Sequence, residues 1–339
     1  MEQNGVDLFG LLPDQWEKLL HPLPRYRASQ VFRWVQRHRV FDPAQMTNLP
    51  GEVKERLAPL LAGALPRDAV DPAQSPDGSR KHLFRLPDGT NIEAVRIPGG
   101  KGATVCVSSQ AGCRYDCAFC ATPLGGFVRS LTAGEIVAQV LLSGGEVRRV
   151  VYMGMGEPLA NYPNVVKSVR VLTHPDGLAL PPRRITISTV GLVPQIDRLQ
   201  KENLGVRLAI SLVSALPGKR ARLMPVEKRY PLPSLLESAR GFARASGLPV
   251  TFEVVLLAGV NDGEEDAKAL ITRLSPIPCK VNLIPFNRVE TIPFEPSTEK
   301  RMNRFLSLLA PHLTVTVRRS AGRSIHAACG QLRLRQEDS

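Results

Sequence analysis

At 339 residues the chain is long enough for one large domain with a small one beside it, and it contains no apolar run near the roughly 20 residues that cross a bilayer. Lys and Arg total 44 against 31 Asp and Glu, a formal net charge of +13 that suggests a polyanionic partner, RNA or DNA first, or else only a solvated basic surface. The opening residues, Met1 to Asp7, do not resemble a basic, apolar secretory leader, so the six cysteines are expected to be reduced thiols in a cytoplasmic protein and not a disulfide framework.

In chain order, residues 8–62 read as a small helical module inside an N-terminal domain spanning 1–65. Val31, Phe32, Trp34 and Val35 recur at helical spacing, with Arg25, Arg27, Arg33, Arg37 and Arg39 spread around them. Such arginines could lie along a phosphate backbone, or they could simply solvate a helix. The polar, Pro- and Asp-rich stretch 66–78 reads as a linker. Two strand-like pieces follow, 81–86 and 91–97, and Pro87-Asp88-Gly89-Thr90 between them signals a hairpin, so that 66–100 forms a linker with a β-hairpin.

From residue 103 onward strand-like and helix-like segments alternate. Strands are predicted at 103–109, 149–153, 184–189, 206–212, 250–257, 281–286 and 313–318, with helices among them at 133–142, 164–172, 232–245, 264–274 and 298–309. This alternation builds a parallel sheet with helices outside it, and six or so units are too few for a closed eightfold barrel. The expected fold is therefore α/β, an open, partial (β/α)6 TIM-like barrel over 101–335 with a small N-terminal helical domain.

Three of the six cysteines, Cys113, Cys117 and Cys120, fall in one eight-residue stretch, close enough for a single loop to aim their sulfurs at one point. Iron–sulfur clusters are held by cysteine thiolates, and a loop offering three ligands to a four-iron cube leaves one iron open. Phe119 stands where it could shield such a cluster. Structural zinc usually takes Cys/His ligands in two separated pairs, and His21, His38, His82, His174, His312 and His326 are all far from this loop in sequence.

Other candidates are weaker when read singly. Met153-Gly154-Met155-Gly156-Glu157-Pro158 follows an apolar strand; its glycines allow close backbone approach to a ligand and Glu157 could accept from an ammonium group, yet a plain tight turn reads equally well. Ser188, Ser211 and Asn287 stand at or just past three strand ends, on the side where barrel-like folds carry their chemistry. Each alone is a strand-end cap, whereas together with Glu157 they weigh more. Cys106, seven residues before Cys113 in a predicted strand, and Cys329 near the C-terminus are nearly as telling as the three-cysteine loop, although a free cysteine is often an inert buried hydrophobe, the reading given to Cys279. Glu93, one acid on a hairpin, has no local spacing to recommend it.

The cluster motif, Met-Gly-Met-Gly-Glu-Pro, Ile187-Ser188-Thr189, Asn282-Leu283-Ile284-Pro285-Phe286-Asn287 and Ala327-Ala328-Cys329-Gly330-Gln331-Leu332 together resemble the RlmN/Cfr radical-SAM RNA methyltransferases, and Tyr26 to Trp34 with Met46-Thr47-Asn48-Leu49-Pro50 are similar to that family's accessory domain. The likeness runs from about residue 8 to about residue 333 and is nearest the RlmN branch. It implies a barrel of the radical-SAM type in which Cys113, Cys117 and Cys120 bind a [4Fe-4S] cluster, and Gly156, Glu157, Ser188, Ser211, Leu212 and Asn287 contact S-adenosylmethionine (SAM), two molecules per turnover. It also implies methylation of carbon 2 of an adenine in 23S rRNA at the peptidyl-transferase centre and in some tRNAs. Carbon 2 has no lone pair to attack a sulfonium methyl, so a radical route is required.

By the same resemblance, Cys329 is first methylated, the carbon is passed to the adenine, Glu93 is the general base, and Cys106 attacks the sulfur of Cys329 to release product and leave a disulfide. An electron donor such as flavodoxin, a monomeric state and a cytoplasmic location complete the expectation. Val213 stands where the family commonly has His, and Pro123, Arg323 and His326 also depart from its common choices. Two other readings remain: methylation of carbon 8 of the same adenosine, as in the Cfr branch, and a non-catalytic, basic RNA-binding metalloprotein. The second leaves Cys106 and Cys329 unexplained.

Overall fold

The structure, a computed structural model, describes residues 7–318 and 320–333, so residues 1–6, 319 and 334–335 of the expected domains lie outside the described residues. The N-terminal module opens with a 3-10 turn, Leu8–Gly10, followed by helices α1 (Pro13–Leu20) and α2 (Arg25–Phe32), a π-helical turn Arg33–His38, and α3 (Gly51–Ala64). The helical spacing read from the sequence is realised: Val31, Phe32 and Val35 are fully buried and join Trp16, Leu20, Leu57 and Leu61 in a core continuous with the barrel.

The arginines of this module divide between two roles. Arg33 reaches Asp176 of the barrel at 2.7 Å and Arg39 donates to the carbonyl of Gly145 at 2.6 Å, so these two act as struts. Arg25 and Arg37 are exposed. Asp7 fastens the module from the other side, accepting from the Thr132 hydroxyl at 2.6 Å and the Gly134 amide at 2.9 Å where a barrel helix begins.

The stretch read as a linker is in fact a fringe of the sheet. Strands β1 (Arg67–Asp68) and β2 (Ala73–Gln74) both pair antiparallel with β3 (Arg80–Arg85), and Asp77 accepts from the amides of Gly322 and Ser79, which hold its carboxyl down at about 2. Hairpin strands β3 and β4 (Asn91–Ile97) are joined as predicted, with Gly89 at φ +85° and the Thr90 amide donating to Asp88.

Strand β5 (Ala103–Cys106) ends three residues earlier than expected because the main chain of Ser108 is held by Gln139, whose side chain binds both its N–H and its C=O. The chain then forms a small two-stranded flap, β6 (Gln110–Gly112) with β7 (Phe127–Ser130), and the cysteine loop is the excursion between them. Helix α4 (Ala133–Leu142) follows, started by a reciprocal Thr132–Glu135 capping box.

Six parallel strands come next: β8 (Val147–Tyr152), β9 (Ile185–Thr189), β10 (Arg207–Ser211), β11 (Val250–Leu256), β12 (Cys279–Pro285) and β13 (Val315–Val317). Between them run α5 (Tyr162–Thr173), α6 (Val193–Lys201), α7 (Pro217–Leu223), α8 (Leu232–Ser246), α9 (Glu264–Leu274) and α10 (Glu299–Leu309). The sheet runs β1-β3-β4-β5-β8-β9-β10-β11-β12-β13, antiparallel up to β5 and parallel beyond it, an open partial barrel. Central strands carry Val, Ile and Leu on both faces because helices cover the outside, the usual condition of a parallel sheet.

Candidate active site

A cavity of about 990 Å3, measured out to its open mouth, lies at the C-terminal ends of the parallel strands. The cysteine loop forms one wall. Cys113 is fixed by its amide to the Gly126 carbonyl at 3.0 Å, Ala118 to Leu223 of α7 at 2.9 Å and Ala121 to Gly330 at 2.8 Å. Cys113, Cys117 and Cys120 all line the cavity, with Phe119 half-buried beside them.

The loop turns Cys113, Cys117 and Cys120 toward one and the same cavity. Among the described residues no three His, Cys, Asp or Glu side chains stand close enough to hold a single metal ion. All six cysteines are free thiols. Burial pushes the Cys113 thiol up to about 12 and raises those of Cys117 and Cys120 as well, so they need a strongly cationic partner to become thiolates. An all-sulfur donor set around a roomy cavity fits an iron–sulfur cluster.

The opposite wall is built from strand ends. Ser188 of β9, Ser211 of β10, Asn287 just past β12, and Gly156 and Glu157 after β8 all line the cavity. The glycines there allow an approach to the protein's own chain: a Cβ on Gly154 would meet Ser108 at 2.7 Å, and one on Gly156, at φ +93°, would meet Gln110 at 2.5 Å. Glu157 is 2 % exposed, and its two carboxyl oxygens accept from the amides of Leu159 and Val190 at 2.9 and 2.8 Å. Burial outweighs those amides and pushes its carboxyl up to about 7. Asn287 donates to Ser320 and to the Cys329 carbonyl, while its buried Oδ1 has no partner among the described residues.

Leu212 is buried and does not line the cavity; its amide goes to the Glu253 carbonyl at 3.0 Å. Val213 does reach the cavity, at φ +62° in a tight turn closed by Ser214 N–H to Leu212 C=O at 2.7 Å. That is a strained conformation for a β-branched residue, held by Asn261, which donates to the Val213 carbonyl.

The C-terminal segment closes the site. Cys329 lines the cavity, half-buried, and the segment is tied to the cysteine loop by Gly330 and by the Thr122 hydroxyl donating to Leu332 C=O at 2.8 Å. Glu93 and Cys106 do not line the cavity; they lie on strands β4 and β5 of the same sheet, under this segment. The Val95↔Cys106 register puts both on one face, since Glu93 is two residues from Val95 on β4. The Cys106 thiol is pushed up to about 12, first by burial and then by Cys329 nearby. Glu93 is ion-paired with Lys81 at 2.8 Å and accepts from the Arg333 amide at 2.8 Å.

Several residues here gave no sequence signal, because their partners are distant in the chain. Ser108 donates to the Glu93 carbonyl and accepts from Met155 N–H, linking the hairpin to the Gly-rich turn. Glu253 faces the cavity with one oxygen bonded to Asn282 and the other without a partner among the described residues. Arg318 lines the cavity and donates to the Met153 sulfur. Arg220, fully buried, pairs with Glu227 at 2.6 Å and donates to Val190 C=O at 2.8 Å, bracing the loop whose amide holds Glu157. Glu227→Ala strands that guanidinium without a counter-charge and is expected to destabilise the protein by about 3–5 kcal/mol. Urea unfolding checks this, and a loss below about 1 kcal/mol would show the pair to be dispensable.

A partial parallel barrel with a three-cysteine loop over its strand ends defines a radical SAM protein, and residues 107–271 match the family model of the Radical SAM superfamily, whose cofactors are a [4Fe-4S] cluster and SAM. Residues 6–62 match the model described as the ribosomal RNA large subunit methyltransferase N-terminal domain. The dual-specificity RNA methyltransferase RlmN of Geobacter sulfurreducens is 43% identical over 97% of this chain and 92% of its own length, and that of Syntrophotalea carbinolica 45% identical over 91% and 84%. The crystal structure of a radical SAM methyltransferase from Sphaerobacter thermophilus superposes with a TM-score of 0.91 at 42% identity, over 96% of this chain and 98% of that one. The chain belongs to the RlmN family.

Proposed function

We propose that this protein methylates carbon 2 of an adenine in 23S rRNA at the peptidyl-transferase centre, and in some tRNAs, through a methylated Cys329. The observation that carries the reading is that Cys329 lines the same cavity as Cys113, Cys117 and Cys120, while Cys106 and Glu93 lie together on the sheet face beneath.

Cys113, Cys117 and Cys120 would hold the cluster, and Glu157, Ser188, Ser211 and Asn287 would hold SAM, with Gly156 and the Leu212 main chain shaping the turns that carry them. Bound there, the cluster supplies the electron that opens the sulfonium and SAM supplies the methyl carbon. Cys329 acts as the nucleophile that accepts the methyl group, Glu93 takes the proton from the ring carbon, and Cys106 attacks the Cys329 sulfur to free the product. The N-terminal domain, residues 1–65, would hold folded RNA through its shape and phosphates while the base is extruded. The reading includes a cytoplasmic monomer reduced by a flavodoxin-type donor.

Anaerobic incubation of the reconstituted protein with unmodified 23S rRNA, followed by nucleoside mass spectrometry, tests this. 2-Methyladenosine is expected; 8-methyladenosine would move the chain to the other branch, and no methylated adenosine would overturn the reading.

Glu157 gives a pH signature. Only its carboxylate attracts the ammonium of SAM, so with a carboxyl near 7 the affinity is full above that pH. Below it the apparent Kd should rise about tenfold per pH unit, because binding must first expel a proton. Equilibrium dialysis of the cluster-loaded protein from pH 6 to 8 reads this directly. A flat profile would remove Glu157 from SAM binding, and Glu157→Gln should bind weakly at every pH.

A further inference from the structure

We propose that a groove outside the catalytic cavity, lined by Arg80 and Arg96 and flanked by Arg39, holds a backbone phosphate of the substrate RNA, an inference that rests on the methyltransferase reading above. The groove measures about 550 Å3 out to its open mouth. Its walls come from three places: Gln74 of the fringe strand β2, Arg80 and Arg96 of the hairpin, and Gly144 and Gly145 of the loop between α4 and β8. Arg39 reaches the same loop from the N-terminal module, so the groove lies on the seam between module and barrel.

Arg80 and Arg96 are direct partners across β3 and β4, and like charges set opposite each other in a sheet repel. The loop holds the arrangement in place. Arg96 donates through Nε to the Gly144 carbonyl at 3.0 Å, and Arg39 donates to that of Gly145 at 2.6 Å. A Cβ on Gly145, at φ +52°, would meet Arg96 Nη2 at 2.5 Å, so the loop is shaped to admit that guanidinium. Burial and then the charge of Arg96 lower the pKa of the Arg39 guanidinium. Arg39 and Arg96 are both half-buried, where repulsion is screened less than in open water.

Other arginines find carboxylates, as Arg33 does in Asp176, Arg129 in Asp88 and Arg170 in Glu202. No carboxylate among the described residues pairs with Arg39, Arg80 or Arg96, and the exposed Arg80 side chain makes no hydrogen bond there. Of the acids close by in sequence, Asp77 is taken up by the amides of Ser79 and Gly322, and exposed Glu146 forms no ion pair. Each guanidinium keeps N–H groups that the loop does not use, and a phosphodiester offers two oxygens to such a fork. The anion that answers this surplus charge comes from outside the chain.

Two observations point to RNA. Arg39 belongs to residues 6–62, which match the model of a ribosomal RNA large subunit methyltransferase N-terminal domain. The loop lies ahead of β8 and the catalytic cavity past its other end, six residues or about 20 Å along the strand, a span that a folded RNA covers and a small anion does not.

The test measures the Kd of the cluster-loaded, full-length protein for a 23S rRNA fragment carrying the target adenine over a range of KCl concentrations, with the thermal midpoint recorded for each variant. Arg80→Gln should bind about 3- to 10-fold more weakly at low salt, and the slope of log Kd against log salt should fall by about 0.7–0.9, the loss of one phosphate contact. Arg80→Glu should bind more weakly still, yet unfold at a higher temperature than the wild type, because a carboxylate opposite Arg96 turns repulsion into attraction. Arg80→Lys keeps the charge and should keep the slope. During turnover the loss should appear in KM for RNA.

An Arg80→Gln protein with wild-type affinity and slope overturns the inference, as does a loss confined to kcat or a slope change shared by Arg80→Lys. If Arg80→Glu does not fold, Arg80→Gln and Arg80→Lys carry the comparison. Stabilisation of the wild type by inorganic phosphate that Arg80→Gln lacks, with RNA affinity unmoved, would assign the groove to a free anion and is equally contrary. A wild-type protein without affinity for the RNA overturns the methyltransferase reading and this inference together, whereas wild-type binding that Arg80→Gln matches overturns this inference alone.

Discussion

Cys106→Ala is expected to leave the protein covalently joined to its RNA, with no more than about one adduct per active site and no released methyladenosine. The argument is one of placement. Cys106 is buried on the sheet face beneath the C-terminal segment, near enough to Cys329 for that thiol to help push it up, and no other cysteine among the described residues shares its apolar cluster. Once the carbon carried by Cys329 is bonded to the base, the remaining bond is a thioether, inert to water at neutral pH, and a second sulfur is needed to break it. Denaturing electrophoresis should show a slow band that collapses on ribonuclease treatment. Cys329→Ala, by contrast, should give neither adduct nor product. If Cys106→Ala turns over normally, the resolving role is wrong.

The second large effect is expected from Cys117→Ala. Its thiol is held far above the ordinary range by burial, with Cys120 and Cys113 adding to it, so deprotonation and cluster assembly go together. Removing one of three ligands from that set should take the iron content from about four per chain to near zero, bleach the protein and reduce RNA methylation to background. The fold should survive, because the loop's main chain is fastened by Ala118 to Leu223 and by Ala121 to Gly330 without help from metal. Iron analysis and circular dichroism on one sample separate these outcomes; retained iron and activity would dismiss the three-cysteine assignment.

Much of the scaffold was legible because it is local. Helices at 133–142 and 264–274 coincide with α4 and α9, and Thr298, read as the first residue of the last helix, is its N-cap. Runs of Val and Ile marked the parallel strands, and Pro-Asp-Gly-Thr marked the hairpin. Helix α7 escaped notice because seven residues rich in Arg and Lys carry no apolar period, yet it pins the cysteine loop. The fringe β1 and β2 looked like a linker because two-residue strands leave no alternation to count.

In the site, the three-cysteine loop was visible from spacing and Cys106 was noted as a candidate, while the roles given to Glu93 and Cys106 came only through family resemblance. What unites them is a register between strands, which periodicity within one strand does not encode. Ser108, Gln139 and Glu253 were not singled out for the same reason, each being a polar residue with partners 15 to 31 positions away.

The carbonyls of Gly330 and Leu332 are clasped by Ala121 and Thr122, the two residues after Cys120. The span from that cysteine to Cys329 is therefore measured over a few atoms and not across the whole barrel. Heat or jostling that distorts the strands carries both sulfurs along as passengers of one rigid piece, so their alignment should outlast a good deal of breathing elsewhere in the molecule.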